Sequence, residues 1–307
     1  MTAVAAWLFV AAQALSSGLS ERRGALSLAP FRIATPPFEY TLVDSVEAPE
    51  RVSLRITDNS WAAVGSYGDW FRKHPYPALT FHGGGTNDAI RGEEIPSGVA
   101  GAIRVDGEIL YLYQVIFDDG VLLATYGLPP NRFGVVLQPR VLACFSPGES
   151  TPLWSIDFSS YLYAPSAGVE GGLAAVGGVR RARAQAVRWA DLEDGVLYVS
   201  HFHRTYAEES GGMNGFVTAI DPSSTELLWR SDPLVCNSEN FLVVDGAIVC
   251  GYGFSYEDDY VYLIDRATGE TCSRLAVDSA PDYLAALDGN VYVRCYNGTV
   301  VAEISRE

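Results

Sequence analysis

The chain has 307 residues and a formal net charge of −16, with Lys73 the sole lysine among 21 basic residues. That length buries a large core in a single repeat-built domain. The charge argues against a nucleic-acid partner, because phosphate backbones are bound by basic faces. Plentiful Tyr, Phe, Trp and Gly, together with recurring Asp-Gly dipeptides, are the profile of an all-β protein with many turns.

From the N-terminus, residues 1–14 (MTAVAAWLFVAAQA) are apolar and end in Ala12-Gln13-Ala14, the small-residue pattern of a secretory cleavage site. No Lys or Arg precedes them, and the run is too short to span a bilayer. The expectation is an exported chain, periplasmic or at the cell surface, with the cytoplasm as the alternative. Residues 16–35 read as a polar tether, so the chain divides into a leader over 1–35 and one domain over 36–307. Alternating Val52, Leu54 and Ile56 have the period-two pattern of a strand. Residues 57–95 carry no legible motif but are long enough for a repeat of their own.

Beyond residue 100 the sequence repeats itself. The copies open at Asp106-Gly107, Asp194-Gly195, Asp245-Gly246 and Asp288-Gly289, and each Asp-Gly is followed by an alternating apolar strand. Each copy reads as four antiparallel strands. Asp-Gly tolerates the positive φ angles of a tight hairpin between the first two. A third strand runs into a second turn: Val141 to Gly148, Gly215 to Thr225, Tyr260 to Gly269 and Thr299 to Ile304. The fourth strand carries Trp154 and Trp229 in two copies. Such copies span about 100–156, 186–231, 240–276 and 283–305, and the fold they specify is an all-β β-propeller of four-stranded blades. Five blades is the expected count, within a range of four to seven. The last copy ends after its third strand, so its fourth would be supplied by Val52–Ile56.

The segment Ala219-Ile-Asp221-Pro-Ser-Ser224-Thr225-Glu-Leu-Leu-Trp229 resembles the eleven-residue tryptophan-docking motif of pyrroloquinoline-quinone-like propellers. Ser224 and Thr225 stand where that family prefers Thr and Gly. Leu263 to Ser273 keeps Asp265, Thr268 and Gly269 but has Ser at the tryptophan position. Cys144 to Trp154 has the right length, with Ser146 for Asp. The resemblance covers roughly two-thirds of the chain and implies that each tryptophan docks on the neighbouring blade. Such a side chain buries ~150–250 Å², worth about 4–6 kcal/mol before entropy. Related propellers act as scaffolds in outer-membrane protein assembly, and others are quinone dehydrogenases. The latter often carry adjacent cysteines beside the cofactor, and no two cysteines are adjacent here. No cofactor is expected.

The strand order places tight turns on one face and long connections on the other: residues 114–139, 156–187, 201–214, 232–239 and 251–259. Function usually sits on such loops. His201 and His203, two apart on a strand, face one side and could approach one metal, with His74, His82 or a carboxylate completing zinc. Lining of the channel mouth is the blander reading. Glu239, Asn240, Asp282 and Tyr283 occupy blade-to-blade positions near the channel, where they could bind a ligand or bond one blade to the next. Tyr252 lies beside them. Glu257-Asp258-Asp259 and Asp118-Asp119-Gly120 read as solvated acidic loops, with a share in a calcium site as the alternative. Arg180, Arg181, Arg183 and Arg188 read as a basic cluster in a mobile insertion, with docking of an acidic partner as the alternative. Asn297-Gly298-Thr299 matches a glycosylation sequon but is explained as a turn. The cysteines (Cys144, Cys236, Cys250, Cys272, Cys295) show no zinc spacing. They read as buried apolar thiols, with one disulfide, for example Cys250 to Cys295, as the alternative. The functional expectation is a non-enzymatic, monomeric propeller binding a protein or small ligand through the long-loop face. The alternative is a hydrolase or oxidoreductase at the channel mouth.

Overall fold

The computed structural model describes residues 26–27, 52–60, 78–80, 95–118, 120–129, 137–158, 162–163, 183–203, 206–244 and 246–306. The expected leader, residues 1–14, lies outside them, as does most of 57–95. Three short segments come first: β1 (Leu26–Ser27), β2 (Val52–Ser60) and β3 (Ala78–Thr80). Blade 1 follows with β4 (Ala102–Val105), β5 (Glu108–Asp118), β6 (Val121–Leu128), β7 (Leu137–Phe145) and β8 (Trp154–Asp157). A two-stranded pair, β9 (Leu162–Tyr163) and β10 (Arg183–Ala184), precedes blade 2. Blade 2 is β11 (Ala186–Glu193), β12 (Val196–Phe202), the short helix α1 (Ala207–Ser210), β13 (Phe216–Asp221) and β14 (Glu226–Arg230). Blade 3 is β15 (Leu242–Val244), β16 (Ala247–Tyr252), β17 (Tyr260–Asp265) and β18 (Thr271–Ala276). Blade 4 is β19 (Pro281–Leu287), β20 (Asn290–Cys295) and β21 (Thr299–Arg306), completed by β2.

One register unites the four sheets. The third residue after the turn glycine pairs with the first position of the docking motif in blades 1 to 3: Leu123 with Cys144, Tyr198 with Ala219 and Val249 with Leu263. In blade 4 the equivalent Tyr292 pairs with Val301 of the third strand. The chain is therefore a β-propeller of antiparallel four-stranded blades, and four of blade size are present among the described residues. The expected closure from the N-terminal region is present too. β2 pairs antiparallel with β21, Leu54 opposite Ile304, and Leu54 is buried in the core between blades 3 and 4.

Blade 1 departs from the sequence reading. Residues 114–128 are not part of one long loop: they extend β5 to Asp118, which pairs with Val121, and return as β6. Asp118-Asp119-Gly120, not Asp106-Gly107, is the first tight turn of this blade. Gly120 stands 34 residues before Trp154, as Gly195 does before Trp229. Two Asp-Gly turns compete in this copy, and only strand pairing selects between them. The upstream turn instead caps an added hairpin, β4–β5, on which β1 pairs in parallel while β3 pairs with the second half of β5. This curled seven-stranded sheet has its own core, including Ile103, Leu110, Leu112, Tyr126 and Phe145. A second core joins blades 1, 2 and 3, and a third joins blades 3 and 4.

The docking motif does what the resemblance implies. Trp229 is buried, and its Nε1 donates to the Arg266 carbonyl in the second turn of blade 3, at 3.0 Å. Gly269 of that turn lies flat against the indole: a Cβ there would come within 2.5 Å of the ring. The turn itself is held by Asp265, whose Oδ1 accepts the N–H groups of Ala267 and Thr268 at 2.7 and 2.8 Å. In blade 2 Asp221 does the same work, accepting from the Ser223 N–H and the Ser224 hydroxyl. Its carboxyl sits below the ordinary range: partial burial opposes this, but the Ser223 and Ser224 hydrogen bonds outweigh it. Thr225, at the glycine position of that turn, is forced to φ +65°. Trp154 is likewise buried, at the motif's last position on β8. Ser273 accepts the backbone N–H of Leu54 at 3.4 Å, so the junction lacking the indole is tied to the closing strand instead.

Candidate functional site

The long-loop face of blades 2 and 3 is a hydrogen-bonded unit built on three asparagines. A side-chain amide carries both an acceptor and donors, so one residue can imitate both sides of a strand ladder. Asn214 closes the 203–215 connection, accepting from the His203 N–H at 3.0 Å and donating to the His203 carbonyl at 2.8 Å. Asn237 clamps Gly253 in the same way, at 3.1 and 2.8 Å. Asn240 clamps Leu284 of blade 4, at 2.9 and 2.8 Å, while fully buried. Asn240 thus bonds one blade to the next. Buried amides of this kind satisfy backbone groups that would otherwise cost about 1–3 kcal/mol each.

Across the blade 2–3 boundary the two long loops are tied by Glu257. Its Oε2 accepts the Tyr252 hydroxyl at 2.7 Å, and its Oε1 accepts the backbone N–H of Ala207, the first residue of α1, at 2.6 Å. Burial, and then the bond to Glu257, push the Tyr252 phenol well above its ordinary pKa. The Tyr206 ring meets Phe254 edge-on at 4.8 Å. The expected solvated acidic loop is therefore in part a structural brace. Asp259, half-buried, is raised to about 6 by burial and by the neighbouring Asp258.

On this brace the loops display aromatic side chains outward. Tyr256 is 102% exposed, at φ +72° in the turn closed by the Glu257 N–H to the Phe254 carbonyl. Tyr296, 81% exposed, occupies the corresponding connection of blade 4, in the short turn that Asn297-Gly298 completes. Asp258 is exposed on the Tyr256 loop, and Asp278 is exposed on the connection from β18 to β19. That connection touches both tyrosine loops: the Val277 N–H bonds the Asp259 carbonyl, and the Tyr296 N–H bonds the Ala280 carbonyl, each at 3.0 Å.

The two histidines sit in different surroundings. His201 is fully buried with its ring 5.0 Å from that of Phe158, and burial, then the Arg230 charge, hold it well below its ordinary pKa. Phe202 points to the opposite face of β12, where the Arg188 guanidinium lies 5.2 Å from its ring. Arg188 is ion-paired with Glu239 and reaches the Tyr113 hydroxyl at 3.4 Å. This corrects one expectation: Arg188 is a buried residue of β11, not part of a mobile basic insertion. Its ion pair with Glu239 is a bond between neighbouring blades. Glu239 also donates its backbone N–H to the Asp282 carbonyl at 2.8 Å, and Tyr283 is fully buried beside that contact. His203 lies at the strand's end, its backbone held by Asn214. Among the described residues no three His, Cys, Asp or Glu side chains gather as a metal site. His74 and His82 lie outside those residues.

Sequence reasoning missed Asp191 of β11. It is raised to about 7, first by burial and then by Asp118 and Glu193, with Arg266 opposing. Asp118 also accepts the Leu192 N–H, tying the first turn of blade 1 to blade 2. An acidic residue on an alternating strand gives no warning of this in the sequence.

No protein-family model matches the chain, and no curated protein matches it. Solved structures do show similarity. The computationally designed Ika4 protein is 10% identical with a TM-score of 0.36, covering 70% of this chain and 94% of that one. The quinohemoprotein alcohol dehydrogenase ADHIIG from Pseudomonas putida HK5 is 17% identical with a TM-score of 0.35, over 60% of this chain and 28% of that one. BamB from Moraxella catarrhalis is 11% identical with a TM-score of 0.29, covering 66% and 68%. Likeness at these values assigns neither family nor activity. The propeller assignment rests on the shared blade register. No helix among the described residues is long and apolar enough to cross a membrane.

Proposed function

We propose that this chain is a non-enzymatic propeller that binds a protein partner through its long-loop face, using Tyr256 and Tyr296 to engage a basic segment. The reading is carried by one observation: the two most exposed large hydrophobic side chains among the described residues lie on corresponding loops of adjacent blades. Aromatic anchors of this kind dominate protein interfaces. Exposed Asp258 and Asp278, on a chain of net charge −16, select a cationic partner, and each tyrosine ring can hold an Arg or Lys face-on. The Glu257 brace and the asparagine clamps support the reading further, because they pre-organise these loops and lower the cost of ordering them on binding. An extracytoplasmic location belongs to the same proposal.

The test is titration of the full chain with a fluorescent Arg-rich peptide and an acidic control peptide of equal length. The expected result is saturable binding of the basic peptide alone, weakened about tenfold or more by the double substitution Tyr256→Ala/Tyr296→Ala, with unchanged melting. Binding that ignores the double substitution would place the interface elsewhere.

A further inference from the structure

Two of the five cysteines meet in the interior. Cys236 lies in the linker between blades 2 and 3, and Cys250 on β16; both are fully buried. The linker is bonded directly to β16: Asn237 and Ser238 donate their N–H groups to the Gly251 carbonyl at 2.8 and 3.1 Å, and the Gly251 N–H returns a bond to the Ser238 hydroxyl at 3.2 Å. The Cys250 thiol donates to the carbonyl of Val235, the residue before Cys236, at 3.1 Å, and after burial it is the neighbouring Cys236 side chain that raises its pKa. The linker is thus bonded to β16 one residue beyond each cysteine, and a disulfide needs Cα atoms about 4.4–6.8 Å apart. The sequence alternative of Cys250 with Cys295 is replaced by this neighbour: Cys250 packs in the core that joins blades 1, 2 and 3, and Cys295 in the one that joins blades 3 and 4.

We propose that Cys236 and Cys250 are a disulfide-forming pair that staples the blade 2–3 linker to β16. In the reaction one sulfur–sulfur bond forms within the chain. The two thiols give up two protons and two electrons to a disulfide oxidant, a protein disulfide or oxidised glutathione, which is reduced to two thiols. Burial pushes the Cys250 thiol well above its ordinary pKa, so thiolate is scarce in the folded state and the bond closes as the chain folds. The staple has a mechanical use. Leu234, two residues before Cys236, is held at φ +62°, a left-handed conformation that costs energy for a non-glycine residue. A covalent tie on its far side fixes the linker in place.

The test uses the full chain carrying Cys272→Ser, since Cys272 is the exposed thiol and would otherwise cross-link molecules. Denatured, reduced protein is refolded with a mixture of reduced and oxidised glutathione. Thiols are then counted in denaturant and disulfide-linked peptides are mapped. The expected result is a fall from four thiols to two, a linked peptide pair containing Cys236 and Cys250, and a melting temperature about 5–10 °C above that of the reduced protein. Four titratable thiols after oxidation, or a linked pair involving Cys144 or Cys295, would overturn the proposal. Because the readout is covalent and made on the folded parent chain, it does not depend on whether a Cys236→Ser variant folds.

Discussion

Two blade junctions of this molecule are held by different means. Between blades 2 and 3 an indole lies on a glycine turn: Trp229 covers Gly269 and bonds Arg266. Between blades 3 and 4 the same position is Ser273, and the contact is a hydrogen bond to Leu54 above an aliphatic core of Leu263, Leu284, Val293 and Val300. The reason lies in how the last blade is made. A docking tryptophan needs the turn between the third and fourth strands of the next blade. In blade 4 those strands, β21 and β2, are remote in sequence and joined by pairing, not by a tight Thr-Gly turn. With no turn to cover, an indole at position 273 has nothing to dock on. Asn240, bridging to Leu284, supplies part of the adhesion instead.

Substitutions break this comparison in order of size. Trp229→Ala removes a buried indole and should destabilise the protein by about 3–5 kcal/mol in chemical denaturation. Ser273→Ala should cost no more than about 1 kcal/mol; equal losses would refute the distinction between the junctions. Gly269→Ala forces a Cβ into the Trp229 ring and a side chain onto φ +77°, a loss of about 2–4 kcal/mol. In the Trp229→Ala background the same change should cost markedly less, because the clash is gone. Asn240→Ala strands the Leu284 N–H and carbonyl, for about 2 kcal/mol by the same assay, and hydrogen exchange should quicken at β19 before β11.

The blade 1–2 junction is sharpened by pH. Asp191 binds its proton more tightly folded than unfolded, being raised to about 7. Its stabilising contribution is thus full below the unfolded carboxylate pKa, near 4, and lost as pH rises through about 7, by about 1.4 kcal/mol per pH unit at most. Asp191→Asn should flatten that slope between pH 5 and 7; an unchanged slope would remove Asp191 from the account. The smallest effect is a gain: Thr225→Gly relieves φ +65° in the blade 2 turn and should stabilise by about 1 kcal/mol.

How much of this was legible in the residues depends on the kind of signal. Trp229, Asp221, Asp265 and Gly269 announce themselves because a docking turn requires those side chains at fixed spacing. Strand β2 was legible through alternation alone. The start of blade 1 was not, because Asp106-Gly107 and Asp119-Gly120 are equally good turns and the choice belongs to pairing partners. The site was less legible still. His201 and His203 share a strand, but burial on Phe158 takes one of them out of reach of solvent. Arg188 reads as one of several arginines until Glu239, 51 residues away, is seen to hold it.

By itself the sequence determined the repeat, its turns, its docking residues and the strand that completes the last blade. These depend on local conformational preference and on period, which neighbouring residues encode. Only the tertiary structure decided which Asp-Gly begins blade 1, why Ser273 replaces a tryptophan, that three asparagines act as backbone clamps, and that Cys236 meets Cys250. Each of these is a contact between residues far apart in the chain, and a sequence without a fold does not say which distant groups share a wall.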